Sequence, residues 1–388
     1  MTDKTMPALR FRGFYDAWEQ RKLSDLTERV TRKNKNNESS RPLTISAQNG
    51  LIDQNDFFGK QIASRDVSGY FLVKNGEFAY NKSYSNGYPW GAIKRLNNYD
   101  MGVLSTLYIV FRPINISSQF LVYYYDTSIW HKEIAKNAAE GARNHGLLNI
   151  APVDFFGTSL VIPNSIEEQQ KIGLIFKQLD NLITQNEHKT HLLKQLKQAY
   201  LQKVFSQKLR FAGFSDDWKE CKVSDIADRL DNSRIPITSS DRISGDTPYY
   251  GANGIQDYVE GFTHDGEFIL VAEDGANDLK NYPVQYVNGK AWINNHAHVL
   301  QGKKTVTDNK FLMNAIKNFN IEPFLVGGGR AKLNADIMMK INIQSPSYEE
   351  QQKVGSFFQQ LDNLIALHQQ KLNLLKKQKQ AFLQKMFI

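Results

Sequence analysis

The sequence is poor in cysteine and proline, with only Cys221 and 11 prolines among 388 residues. One cysteine excludes a disulfide framework and any multi-cysteine zinc or iron–sulfur centre, and fits a reducing cytoplasm. Long apolar runs are missing as well. The longest, around Val103–Phe111, is broken by Ser105 and Thr106, well short of the about 20 residues that span a bilayer. The opening MTDKTMPALRF has charge but no apolar signal-peptide segment, so a cytoplasmic chain without membrane contact is expected. Catalytic signatures are equally scarce. There is no G-x-x-x-x-G-K-[ST] phosphate loop to power a motor, and no Asn-Pro-Pro-Tyr or Asp-Pro-Pro-Tyr run to hold a flipped base. Gly327-Gly328-Gly329 lacks the strand–helix setting of a dinucleotide site and reads as a tight loop beside Arg330.

What is present suits two domains. The hydrophobic share is 41% and the aromatic share 12%, enough to bury real cores. Net charge is +8 with a pI near 9.2, which favours a polyanionic partner, since each phosphate neutralised by Lys or Arg releases counterions.

An internal repeat organises the chain. Residues 167–206 (EEQQKIGLIFKQLDNLITQNEHKTHLLKQLKQAYLQKVFS) and 349–388 (EEQQKVGSFFQQLDNLIALHQQKLNLLKKQKQAFLQKMFI) share roughly 24 of 40 positions. A shorter repeat joins LRFRGFYDAWEQRKLSDL from Leu9 to LRFAGFSDDWKECKVSDI from Leu209. Gly141-x-Arg143 and Gly328-x-Arg330 form a weaker third pair. The order is opening, variable region, helix, twice over. It is also cyclic: Ser206 aligns with Ile388, and only Gln207 and Lys208 precede the second opening, so Ile388 is expected near Leu9.

The 167–206 and 349–388 segments read as helices, each roughly 60 Å long at about 1.5 Å per residue. Ser165 and Ser347 are expected to cap them, with Glu168 and Glu350 completing a capping box. Apolar residues recur with 4-3 spacing, a coiled-coil seam. The seam holds Ile172, Phe176, Leu179, Ile183, Leu193 and Tyr200, then Val354, Phe358, Leu361, Ile365, Leu375 and Phe382. Cyclic order makes the pair antiparallel. Asn186, Thr190 and His368 interrupt the seam at its middle, either as a solvated irregularity or as a polar layer fixing register. The variable regions, 13–162 and 213–345, are rich in Gly, Asn, Tyr and short β-type runs, with Asn49-Gly50, Asn75-Gly76 and Asn86-Gly87 as turns.

With these repeats in hand, the chain resembles the S subunits of type I restriction-modification systems. The resemblance rests on the LRF…GF…W openings, the two EEQQK…LDNLI helices, Tyr249-Tyr250-Gly251-Ala252, Trp292–Val299 (WINNHAHV) and Tyr88–Ile93 (YPWGAI). It implies an α+β fold: two α/β target-recognition domains joined by a long antiparallel two-helix coiled coil in a pseudo-two-fold cyclic repeat. The expected segments are 1–165 and 207–347 for the domains, and 166–206 and 348–388 for the central and distal helices. It implies a non-catalytic subunit whose domains each read half of a split double-stranded DNA site. The helices would set the spacing and dock two adenine-N6 methyltransferase subunits, with restriction subunits joining the assembly. S-adenosylmethionine, ATP and magnesium would belong to those partners, and this chain would hold no cofactor. The competing reading is a coiled-coil scaffold with two protein-binding heads.

Bases are read by Arg or Lys on guanine and Asn or Gln on adenine, while further cations hold phosphates. In the first domain the expected DNA contacts are Tyr80, Asn81, Lys82, Tyr84, Asn86, Lys94, Arg143 and Asn144. In the second they are Tyr249, Asn253, Asn277, Lys280, Asn295, Arg330 and Lys332. The matched placement of Arg143 and Arg330 favours phosphate anchoring. His296 and His298 lie two apart, as metal ligands on a strand face would, but no third ligand is evident and buried hydrogen bonding is the plainer reading. Glu273, Asp274, Asp278 and Lys280 superficially match nuclease acids, and also match an ordinary acidic loop.

Overall fold

Short β-branched and aromatic runs separated by Asn-Gly turns give short strands, and the proline-free Leu/Lys/Gln tracts give long helices. A computed structural model shows both. It describes residues 6–46, 48–83, 87–138, 148, 150–327 and 331–388. Two compact units result: unit 1 from residues 1–185 with 372–388, unit 2 from 186–371. The sequence division set the helices apart as segments of their own; the compact units instead take half of each.

Unit 1 begins with β1 (Glu19–Lys22), α1 (Leu23–Leu26), β2 (Thr27–Arg29), β3 (Leu43–Ser46), β4 (Gly50–Asp53) and α2 (Gln54–Phe58). It continues through β5 (Phe71–Lys74), β6 (Phe78–Asn81), β7 (Ala92–Arg95), β8 (Met101–Leu104) and β9 (Ile109–Pro113). It ends in α3 (Ser118–Tyr124), α4 (His131–Asn137), α5 (Pro152–Phe156), β10 (Ser159–Ile162) and the start of α6 (Ile166–Phe205). An antiparallel sheet in the order β2-β9-β6-β7 lies between two cores. Phe78, Tyr80, Ile93 and Phe111 enter the larger core, and Ala79, Ala92 and Val110 the smaller one. The β3–β4 and β5–β6 turns carry Gly50 and Gly76 at φ of 81° and 85°, as Asn-Gly turns require.

Unit 2 repeats the plan: β11 (Lys219–Lys222), α7 (Val223–Ile226), β12 (Ala227–Arg229), β13 (Ser244–Gly251), β14 (Gly254–Val259) and β15 (Glu267–Ala272). Then follow β16 (Val284–Asn288), β17 (Trp292–Ile293), β18 (Ala297–Gly302), α8 (Asn309–Asn318), α9 (Ala335–Met339), β19 (Asn342–Ser345) and α10 (Tyr348–Met386). Its sheet runs β12-β18-β15-β16, in the pattern of unit 1. Ile269 and Val271 enter one core, Phe268 and Leu270 the other. The β-type run Lys340–Ile343 enters its strand two residues late, at Asn342, because Lys340 closes α9.

The helices are antiparallel within each unit. In unit 1 Lys379 pairs with Asp180 at 2.7 Å, and Phe176 meets Phe387 with ring centres 5.8 Å apart. In unit 2 the matching Lys197 pairs with Asp362 at 2.6 Å, and Phe205 meets Phe358 at 6.5 Å. Every expected seam residue is buried or half-buried. Towards the start of each helix the seam is domain core: Ile172, Phe176 and Leu179 in unit 1, Val354 and Phe358 in unit 2. The polar interruption forms contacts, with His368 Nδ1 3.3 Å from Asn186 Oδ1 and the Thr190 hydroxyl donating to the Asn186 carbonyl at 2.7 Å. That favours the polar-layer reading. No described helix is long and apolar enough to cross a membrane.

The repeated words of the sequence build one joint twice. Arg10 grips Glu168 through Nε and Nη2 at 2.6 and 2.8 Å, and Arg210 grips Glu350 at 3.0 and 2.6 Å. Both carboxylates are 1% exposed. Gln169 Oε1 accepts from the amide of Ser117, the cap of α3, and Gln351 Oε1 accepts from that of Asp308, the cap of α8. Gly173 and Gly355 let the long helix press on those caps: a Cβ on Gly173 would sit 2.9 Å from the Gln119 backbone. Trp18, Phe120 and Phe387 cluster on one side, Trp218, Phe311 and Phe205 on the other. The capping box is half realised. Ser165 and Ser347 accept from the Glu168 and Glu350 amides, but both carboxylates turn to arginine instead of back to the cap. The charged partner arrives from the opening segment, 158 and 140 residues away.

The cyclic expectation is realised as well. The Leu9 amide donates to the Lys385 carbonyl at 2.9 Å, the bond that Leu209 makes with Lys203 at 3.1 Å in unit 2.

Candidate nucleic-acid interface

In unit 1 the YPWGAI stretch enters β7 after a tight turn. Gly91 has φ of 78°, and a side chain there would run into the Asn81 carbonyl. Tyr88, Ile93 and Lys94 line a pocket of about 370 Å³ with Trp130 and His131. Lys94 is already paired with Asp126 at 2.7 Å. Asn81 Oδ1 accepts from the Ser83 amide at 2.9 Å, and Lys82 Nζ reaches the Ile150 carbonyl at 3.4 Å. Burial lowers the Lys82 ammonium below the ordinary lysine range.

Tyr80 is a correction. Its ring is fully buried, stacks on Phe155 at 4.9 Å and donates its hydroxyl to the Trp90 carbonyl at 2.9 Å. Burial pushes the phenol well up. Tyr80 alternates with Phe78 on one strand face, so this placement was readable from period-two spacing. Tyr84, Asn86, Arg143 and Asn144 lie outside the described residues.

Unit 2 collects more of the expected residues. Asn253, at the β13–β14 turn, donates Nδ2 to the Gly275 carbonyl at 2.9 Å and accepts from the Asn277 amide at 3.0 Å. This pins the turn to the β15–β16 loop. Asp278 shapes that loop by accepting from the Lys280 and Asn281 amides, each at 2.9 Å. Asn253, Asn277 and Lys280 thereby reach one groove. Asn295 is exposed, and its carbonyl faces Arg234 at 3.4 Å.

Tyr249 is the second correction. It is 2% exposed, covered by the Arg242 guanidinium 4.2 Å from its ring centre, and its hydroxyl donates to the Ile237 carbonyl. Lys332 is tied to Glu273 at 2.9 Å, and Arg330 lies outside the described residues with Gly328 and Gly329.

The acidic and histidine residues form a network of hydrogen bonds and ion pairs. Glu273 also holds Arg234 at 2.7 Å. His298 faces Asp231 at 2.7 Å through Nδ1 and the Leu333 carbonyl at 2.9 Å through Nε2, and His296 meets Asp274 at 2.6 Å. Burial pushes the Asp231 carboxyl up, but hydrogen bonds from His298 and the Val299 amide outweigh it and hold it low. No metal-holding group of histidine, cysteine and carboxylate occurs among the described residues. Sequence reading missed Arg242 and Arg234, whose partners are set by tertiary pairing, and Lys194, Lys197 and Lys317, which no motif marks out.

Comparison with known proteins agrees with this architecture. Residues 215–377 match the family described as type I restriction modification DNA specificity domain. Over 165 residues, 42% of the chain, it is 45% identical to a putative type I restriction enzyme specificity subunit of Haemophilus influenzae. Over 164 residues it is 27% identical to a putative type I specificity subunit of Mycoplasma pneumoniae. The matches span 41% and 43% of those relatives, less than half of their length. The chain also has the fold of the type I restriction-modification S subunit from M. genitalium, with a TM-score of 0.69, 16% identity and 99% of each chain covered.

Proposed function

We propose that this chain is the sequence-specific DNA-recognition subunit of a type I restriction-modification complex. Unit 1 reads one half of an asymmetric bipartite site and unit 2 the other. The observation that carries this reading is one joint built twice under dissimilar surfaces: Arg10–Glu168 and Arg210–Glu350 are copies, while the loops beyond them differ. A scaffold of that kind holds two different recognition surfaces in equivalent ways.

The chain itself performs no chemical step and holds no cofactor; methyl transfer to adenine N6 belongs to partner subunits. Exposed leucines stand at matching positions of the two helices, Leu182 with Leu364 and Leu192 with Leu374. Exposed apolar positions repeated in this way suit two copies of one methyltransferase subunit, through which restriction subunits join. The helices set the unread gap between half-sites.

Co-expression with the neighbouring modification subunit, followed by mapping of methylated adenines across the host genome, tests the proposal. A split motif is expected. Exchange of residues 213–345 for those of a relative should alter one half only, and a change in both halves would overturn modular reading. A protein-binding scaffold would leave no defined sequence methylated or protected.

A further inference from the structure

Unit 2 contains an open groove of about 860 Å³ between the later half of α6, the end of α8 and the β15–β16 loop. Four lysines line it: Lys194, Lys197, Lys280 and Lys317. Lys197 is neutralised, its Nζ 2.6 and 2.7 Å from the two Asp362 oxygens. Among the described residues, Lys194, Lys280 and Lys317 have no ion-pair partner. Lys317 is the telling one. It is half-buried in the last turn of α8, where the carbonyl end of the helix tolerates a cation. Burial lowers its pKa, the Lys197 charge lowers it further, and Asp362 offsets only part. A partly desolvated ammonium without an ion-pair partner of its own is a natural place for an anion to bind.

We propose that this groove seats the sugar–phosphate backbone of DNA, with Lys317, Lys280 and Lys194 as phosphate contacts beside the Asn253–Asn277 loop. The inference rests on the reading of unit 2 as a DNA-recognition unit, and deepens it by assigning these lysines to the backbone rather than to bases. Lysine offers a compact charge and freely rotating donors, which suit phosphate oxygens. Recessed as it is, Lys317 cannot extend to base edges at the floor of a major groove about 8.5 Å deep. A protruding phosphate ridge can enter instead.

The test uses the full chain co-purified with its modification subunit. Binding is measured on a duplex bearing the site that the wild-type complex methylates and on a scrambled duplex of equal length, across salt concentration. Lys317→Met keeps the apolar stem and removes the charge. It should bind both duplexes roughly tenfold more weakly, with the salt slope reduced by about one and the methylated sequence unchanged. Lys280→Met, on a loop outside the core, should act in the same direction, so a folding defect cannot imitate the result. Unchanged affinity and slope in both variants would overturn the proposal, as would an altered methylation motif without loss on the scrambled duplex. Titration with inorganic phosphate separates the sources: tight phosphate binding with unaltered DNA affinity in the variants would assign the groove to a small anion and overturn the backbone seat. Failure of the broader reading looks different, since the wild-type complex would then methylate no defined sequence at all.

Discussion

Units 1 and 2 agree where the long helices are anchored and differ where the loops face solvent. Arg10 and Arg210, Gln169 and Gln351, Gly173 and Gly355 do the same work in both. The surfaces above share little: unit 1 places a paired lysine, Lys94, over an aromatic pocket, whereas unit 2 opens a lysine- and amide-lined groove. Sequence repetition here marks a mechanical joint, and divergence marks the surfaces that joint carries.

The equivalence can be broken most forcefully at the buried ion pairs. Glu168→Ala and Glu350→Ala each leave a half-buried guanidinium without its carboxylate and should be the most destabilising substitutions for their own unit. Thermal unfolding followed by a probe in each unit checks this, and a loss confined to one would show that the copies are not energetically alike. Gly173→Ala should cost about 1–3 kcal/mol, because the added methyl meets the Gln119 backbone, which cannot turn aside. Gly355→Ala should cost less. Its methyl presses hardest on the Asp308 carboxylate, which can move at the expense of the α8 cap, and stands 3.0 Å from the Phe311 backbone nitrogen, slightly farther than the 2.9 Å at Gly173.

Acid should separate the units next. Burial raises the Asp231 and Glu273 carboxyls, but His298 and the Val299 amide at one, and Arg234 and Lys332 at the other, outweigh it and leave both below ordinary values. Groups depressed in the folded state contribute stability above the unfolded value of about 4, and lose it as pH falls through the folded value. In unit 1 the carboxyl held low is Asp66, an exposed residue bonded to Ser68. Unit 2 should therefore lose stability first as pH falls below about 4, and Asp231→Asn should narrow the difference. The smallest effect belongs to the interhelical pairs. Lys197→Met and Lys379→Met should each cost at most about 1 kcal/mol and lose significance in high salt; a larger cost at Lys197 alone would mean that Asp362 is left buried without compensation.

The repeats, the helices, the seam and the adjacency of chain ends were legible in the sequence because each is a matter of spacing. Even the polar layer at Asn186 and His368 announced itself as a gap in the 4-3 pattern. Partners were harder to read. Glu168 looked like half of a local capping box and proved to be held by Arg10, since no spacing rule links residues so far apart. The same applies to the recognition surface: Tyr80 and Tyr249 stand among the expected DNA contacts and are buried. Lys317 drew no notice because its burial comes from α8 lying against the groove wall.

The hydrogen bond from Leu9 to Lys385 has a kinetic corollary. Unit 2 is one uninterrupted stretch, complete once residue 371 has been made. Unit 1 begins first yet lacks Met386 and Phe387 of its core until residues 372–388 are synthesised. During translation, then, the earlier-made unit is the later one to close. Its unsealed aromatic core, Phe120 and Phe176 included, is the surface most exposed to misassembly while the ribosome is still at work.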